Sequence, residues 1–186
     1  MTKKTTNTSI EDVIPDFLDG DLKESALEFA AYMRESKMPF KIHSTSQSSQ
    51  SARYKNKIIC QLMIYSAADK NFVYGEFTGF QAWLVIPSLD RINNYEDLII
   101  KNGLQNVLWD NALYCVWGEN SGLSKKNQKC NPNNGCAGGV SLARCGKTLK
   151  GVCMCRTYPI FRNPNKVEIA AIKRLIELEQ KARDEN

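Results

Sequence analysis

The sequence predicts an α+β fold: a small antiparallel sheet with helices packed on one face, and a cysteine-rich loop before the C-terminal helix. Three observations carry the prediction. Helical periodicity marks a segment near residue 20 and another running towards the C-terminus. Between residues 40 and 87, short runs of aromatic and β-branched residues follow one another through brief polar breaks, as in a meander. Ahead of the last helix the chain turns polar, glycine-rich and basic, and it holds five of the seven cysteines within residues 130–155.

Taken in order, residues 1–18 are polar and read as a loose N-terminal arm with a short turn around residues 14–18. Residues 19–186 then form a single α+β domain, with residues 119–157 a cysteine-rich basic loop inserted in it. The stretch DGDLKESALEFAAYMRESKM predicts a helix. Asp21 is its candidate cap, with Glu24 three residues on. Leu22, Ala26, Phe29 and Met33 form its apolar face, and Pro39 stops it from running on. Residues 40–44 read as a strand, and the Ser/Gln run after them as a polar strand or a loop. Residues 53–54 and 58–65 flank Lys55-Asn56-Lys57, which suggests a tight hairpin. Cys60, Leu62 and Ile64 then share a face by the period of two. Residues 72–74, 77–80 and 82–87 (AWLVIP) add further strand-like runs. A second helical region follows, with Leu98, Ile99, Leu104, Leu108, Leu113 and Val116 as its apolar positions and Gly103 dividing it in two. The last helix starts near Lys166. Asn165 and Glu168 make its capping box, and Ile169, Ile172 and Ile176 its stripe.

Composition narrows the function classes. With 42% apolar and 24% charged residues, the chain can bury a core and does not have the make-up of a disordered protein. No apolar run approaches the roughly 20 residues of a membrane span. The first residues include lysines but no apolar stretch of a secretory signal. A cytoplasmic protein without membrane contact is therefore expected. Its thiols then sit in a reducing compartment, where clustered cysteines serve as metal ligands or redox groups more often than as disulfides. The net charge is +5, yet residues 119–166 carry nine lysines and arginines against one acid, Glu119. The basic charge and the thiols thus share one segment.

Cys130, Cys136, Cys145, Cys153 and Cys155 are the candidate metal ligands. Between residues 121 and 151 the large aliphatics are Leu123, Val140, Leu142 and Leu149, little apolar material to offset the entropy of ordering. A tetrahedral Zn²⁺ held by four thiolates supplies order by another route, since binding free energy becomes folding free energy. Five thiols for four positions leave one spare. The spacing lacks the Cys-x2-Cys knuckle of common zinc ribbons. A [4Fe–4S] cluster takes the same ligands, and disulfides, redox-active thiols or an unbound loop are the competing readings. Neighbouring lysines and arginines would stabilise the anionic thiolate centre. Cys60 and Cys115 sit in apolar surroundings and read as core residues.

Other motifs are weaker. CGKT at residues 145–148 lacks the glycine that a phosphate-binding loop needs five positions earlier, where Ser141 stands. His43 is the only histidine, so a Cys–His nucleophilic pair would require it. Nucleic-acid binding through the basic segment is not favoured, because residues 125–156 contain no aromatic side chain for stacking. Trp83, Trp109, Tyr114 and Trp117 read as core aromatics. A small-molecule pocket using Tyr65, Tyr74, Arg53 and Gln81 is the functional alternative.

Taken with the order of elements, GKTLKGVC at residues 146–153, FRNPN at 161–165 and the closing helix resemble a group of uncharacterised bacterial α+β proteins with a cysteine-containing C-terminal loop. The resemblance implies a cytoplasmic α+β domain and carries no catalytic residues with it. The expectation is a soluble binding or interaction domain with a structural metal. A thiol-based redox protein or enzyme, or a nucleic-acid-binding accessory, are the alternatives.

Overall fold

Ser9 starts the first helix because its side chain accepts the Glu11 amide hydrogen at 3.2 Å, while Asp12 reaches back to the Ser9 amide. The computed structural model describes residues 9–42, 48–66, 81–112, 139–153 and 158–185. In chain order the elements are α1 (Ile10–Phe17), α2 (Gly20–Glu35), β1 (Lys41–Ile42), β2 (Ser49–Tyr54), β3 (Lys57–Tyr65) and β4 (Ala82–Pro87). They continue with a 3-10 turn (Ile92–Asn94), α3 (Glu96–Lys101), α4 (Gln105–Asp110), β5 (Gly139–Arg144), β6 (Lys147–Cys153), β7 (Phe161–Arg162) and α5 (Lys166–Asp184). The α+β class is as expected. The chain divides into two compact units, residues 1–90 with 161–186, and residues 91–160, where the sequence suggested one domain with an insertion at 119–157.

In the first unit, residues 9–18 are not a loose arm. Ile10, Val13, Ile14 and Leu18 are all at most 2% exposed. Their i, i+3, i+4 spacing presents one apolar face, and α1 packs on α2 with Glu11 paired to Arg34 at 2.7 Å. Burial, not length, stabilises this helix of 8 residues. Helix α2 starts earlier than its expected cap: Asp19 is the N-cap and Asp21 lies exposed inside the first turn. Gln81 explains this, since it accepts the Asp19 amide at 3.1 Å and donates to the Asp19 carboxylate at 3.0 Å. Ala26, Phe29 and Met33 are buried as expected.

The sheet is antiparallel throughout, in the order β1-β2-β3-β4-β7. The Ser/Gln run extends into β2, and Gln50 and Ser51 are buried there. The β2–β3 turn is the two residues Lys55 and Asn56, both left-handed at φ 47° and 64°, the geometry that matches strand twist. The register slips between Ala52 and Arg53, so Cys60 faces Ala52, Ile58 faces Arg53, and Ile59 is the extra residue. That bulge lets the consecutive Ile59 and Cys60 both be buried. Cys60, Leu62 and Ile64 share a face as predicted. Strand β4 is buried at all six positions, which is why it reads as an unbroken apolar run. Trp83 meets Phe29 of α2 with ring centroids 6.1 Å apart.

Asn163 completes the outer edge of β4. Its φ of 43° is left-handed; its amide donates to the Trp83 carbonyl and its side-chain oxygen accepts the Trp83 amide, each at 2.9 Å. Two residues on, Asn165 caps α5 with Glu168, and Ile169, Ile172 and Ile176 face the core as predicted. Helices α2 and α5 lie side by side, with Lys173 paired to Glu28 at 3.0 Å and over the Tyr32 ring at 5.0 Å. At the far end of α5, Arg183 donates from Nε to Glu179 at 2.8 Å and from Nη2 to Asp90 at 3.0 Å and the Ile58 carbonyl at 3.1 Å. The side chains of Arg183 and Glu179 are 5% and 0% exposed.

In the second unit, Gly103 at φ 69° separates α3 from α4, as its composition suggested. Ile99 and Leu108 are buried, whereas Leu98 is 38% exposed. Residues 139–153, expected as loop, are a two-stranded hairpin. The strand-like runs at 72–74 and 77–80, together with Leu113 and Val116, lie outside the described residues. Among the described residues, no helix is long and apolar enough to cross a membrane.

Two substitutions test these contacts by urea unfolding. Arg183→Met is expected to cost about 3–5 kcal/mol, because it removes the guanidinium that balances the buried Glu179 carboxylate. The double variant Glu179→Leu/Arg183→Met should recover most of that loss; equal losses in the two would refute the ion-pair account. Asn163→Ala is expected to cost about 2–4 kcal/mol, from an orphaned Trp83 amide and a left-handed non-glycine residue. Asn163→Gly should regain only the backbone part.

Candidate metal centre at the cysteine hairpin

The β5–β6 hairpin follows from a turn and a bulge. Cys145 and Gly146 form the turn at φ 49° and 80°, both left-handed. Leu142 faces Leu149 and Val140 faces Val152 across the ladder. These pairs differ in register by one, so Lys150 and Gly151 together oppose Ser141. Gly151, at φ 77°, absorbs the extra residue and returns Val152 to the face of Leu149. Leu149 and Val152 are 5% and 2% exposed, while Ser141, Ala143, Thr148 and Lys150 lie on the other face, with Ser141 and Lys150 open to solvent. The sparse aliphatics of this segment thus pair with one another, and 139–153 gains order from apolar burial that its composition did not suggest.

The tip is clamped within its own unit. Trp109 donates its indole hydrogen to the Arg144 carbonyl at 3.0 Å, and Lys147 lies 4.8 Å from the centroid of the same ring. Arg144 donates to Asn93 at 2.7 Å and pairs with Glu96 at 3.7 Å. Two of the basic residues expected to stabilise a thiolate centre therefore have protein partners at the tip. Trp109, read from sequence as a core aromatic or pocket wall, is the clamp. An indole in α4, 35 residues from its acceptor, leaves no local signal of that role.

Among the candidate ligands, Cys145 lies in the turn and is 2% exposed. Burial first, then the charge of Glu96, pushes its thiol up to about 11, with Arg144 acting the other way. Burial there disfavours the thiolate form. Cys153 is at the opposite end of the ladder, facing Gly139. The 7 residues of β6 put the two ends roughly 20 Å apart at about 3.3 Å per residue. Cys130, Cys136 and Cys155 lie outside the described residues, as do Cys115 and His43. Among the described residues, no group of three His, Cys, Asp or Glu side chains is arranged to hold a metal.

The other candidates have structural partners. Cys60 is fully buried on β3, facing Ala52 and Pro87, and burial raises its thiol pKa. Gln81 is taken by Asp19, and Arg53 donates to the Asn56 carbonyl at 2.8 Å. The Tyr65 hydroxyl is 3.7 Å from the Met63 sulfur, and Trp83 is core. Tyr74, Tyr114 and Trp117 lie outside the described residues. CGKT is the hairpin turn with the start of β6. The chain matches no family model, and neither the curated proteins nor the solved structures contain a match to it.

Trp109→Phe removes one hydrogen bond and weakens one cation–π contact, about 1–2 kcal/mol together. Hairpin amides between residues 140 and 152 should then exchange roughly tenfold faster by mass spectrometry; unchanged exchange would show that Trp109 does not hold the tip. Cys145 carries a pH signature. Its folded pKa is raised from 9.0 to about 11, so the unfolded chain releases the proton first. The contribution is complete below pH 9.0 and is lost as pH rises towards about 11. Cys145→Ala should remove that share of the alkaline loss of stability, read as the difference between the two unfolding profiles.

Proposed function

We propose that this chain is a small binding or interaction module whose cysteine segment carries a structural Zn²⁺, held by Cys130, Cys136, Cys153 and Cys155, with Cys145 the surplus thiol. The observation that supports this reading is the pairing of Gly139 with Cys153 at the open end of the hairpin. Cys136 precedes Gly139 by three residues and Cys155 follows Cys153 by two. At about 3.6 Å per residue, covalent reach keeps the Cα atoms of Cys136 and Cys155 within roughly 11 Å and 7 Å of those paired positions. Cys130, six residues further, has the reach to join them. Cys145, buried in the turn at the other end of the ladder, is the surplus thiol in this reading.

The ion would close the end of the hairpin where ladder pairing stops. Four thiolates around Zn²⁺ leave two net negative charges, which Lys125, Lys126, Lys129 and Arg156 in the flanking sequence would balance. A reducing, cytoplasmic setting belongs to this reading, since the thiols must stay reduced to bind. That setting is also what the resemblance to bacterial α+β proteins implies.

Elemental analysis of the purified protein tests the proposal. About one Zn²⁺ per chain is expected in the native protein and in Cys145→Ser, with loss in Cys153→Ser and Cys155→Ser. Loss of metal in Cys145→Ser, or retention in both of the others, would overturn the ligand assignment. Failure of reduced protein to bind Zn²⁺ in titration would overturn the site. Iron in place of zinc, with visible absorbance, would assign a [4Fe–4S] cluster to the same four thiols.

A further inference from the structure

We draw no further inference here: the strongest candidate, the buried Arg183 guanidinium at the C-terminal end of α5, whose Nη1 has no hydrogen-bond partner, carries nothing, because Glu179 and Asp90 already balance its charge and nothing beside it points to a ligand.

Discussion

Strand β4 is buried along its whole length, so its backbone polar groups need partners within the protein. Much of the first unit follows from meeting that need. Strand β3 pairs with it at six positions along one edge. On the other edge β7 offers two, and Asn163 adds a main-chain and a side-chain hydrogen bond to Trp83. Making both bonds requires Asn163 to turn left-handed, and asparagine tolerates that conformation better than most residues. The chain then leaves the sheet, and Asn165 starts α5 at once. The requirement at the β4 edge thus sets where the long closing helix begins. Its stripe of Ile169, Ile172 and Ile176 falls on the core as a consequence.

The far end of α5 is held by charge. A buried ion pair is a poor source of net stability, since desolvation offsets most of the attraction. Glu179 and Arg183 are four residues apart on one helix and would stay together if the helix slid. The bonds from Arg183 to the Ile58 carbonyl and to Asp90 would not survive sliding. The guanidinium therefore specifies the register of α5 against the sheet. The carbonyl of Ile58 sits beside the bulge at Ile59, where ladder pairing is disturbed and an outside donor is useful.

The second unit orders its hairpin from the tip. Cross-strand aliphatic pairs, the Trp109 indole and the Arg144 contacts act between residues 140 and 152. A metal is thus not required to explain order across residues 139–153. The proposed ion would have a narrower role, joining cysteines that precede Gly139 in sequence to Cys153 and Cys155. At the tip, Cys145 is embedded in this packing, and burial raises its thiol pKa.

Local chemistry was legible in the sequence. The α5 capping box, the tight turn at Lys55-Asn56-Lys57, the alternation of Cys60, Leu62 and Ile64, and the break at Gly103 each depend on residues close in the chain, whose spacing reports their shared face or conformation. So did the α+β class, which follows from the order of such segments. Helix α1 reads in sequence as a loose arm: Ser9, Ile10, Val13 and Ile14 do carry a cap and a stripe, but so short a helix owes its stability to α2, which sequence spacing does not reveal. The partners of Trp109, Gln81 and Asn163, and those of Arg183 other than Glu179, lie 35 to 125 residues away, and only tertiary structure decided them. The same holds for the cysteines. Spacing put five thiols in one segment, and strand register separated Cys145 from Cys153, because an extended hairpin carries residues eight apart in sequence to opposite ends of its length.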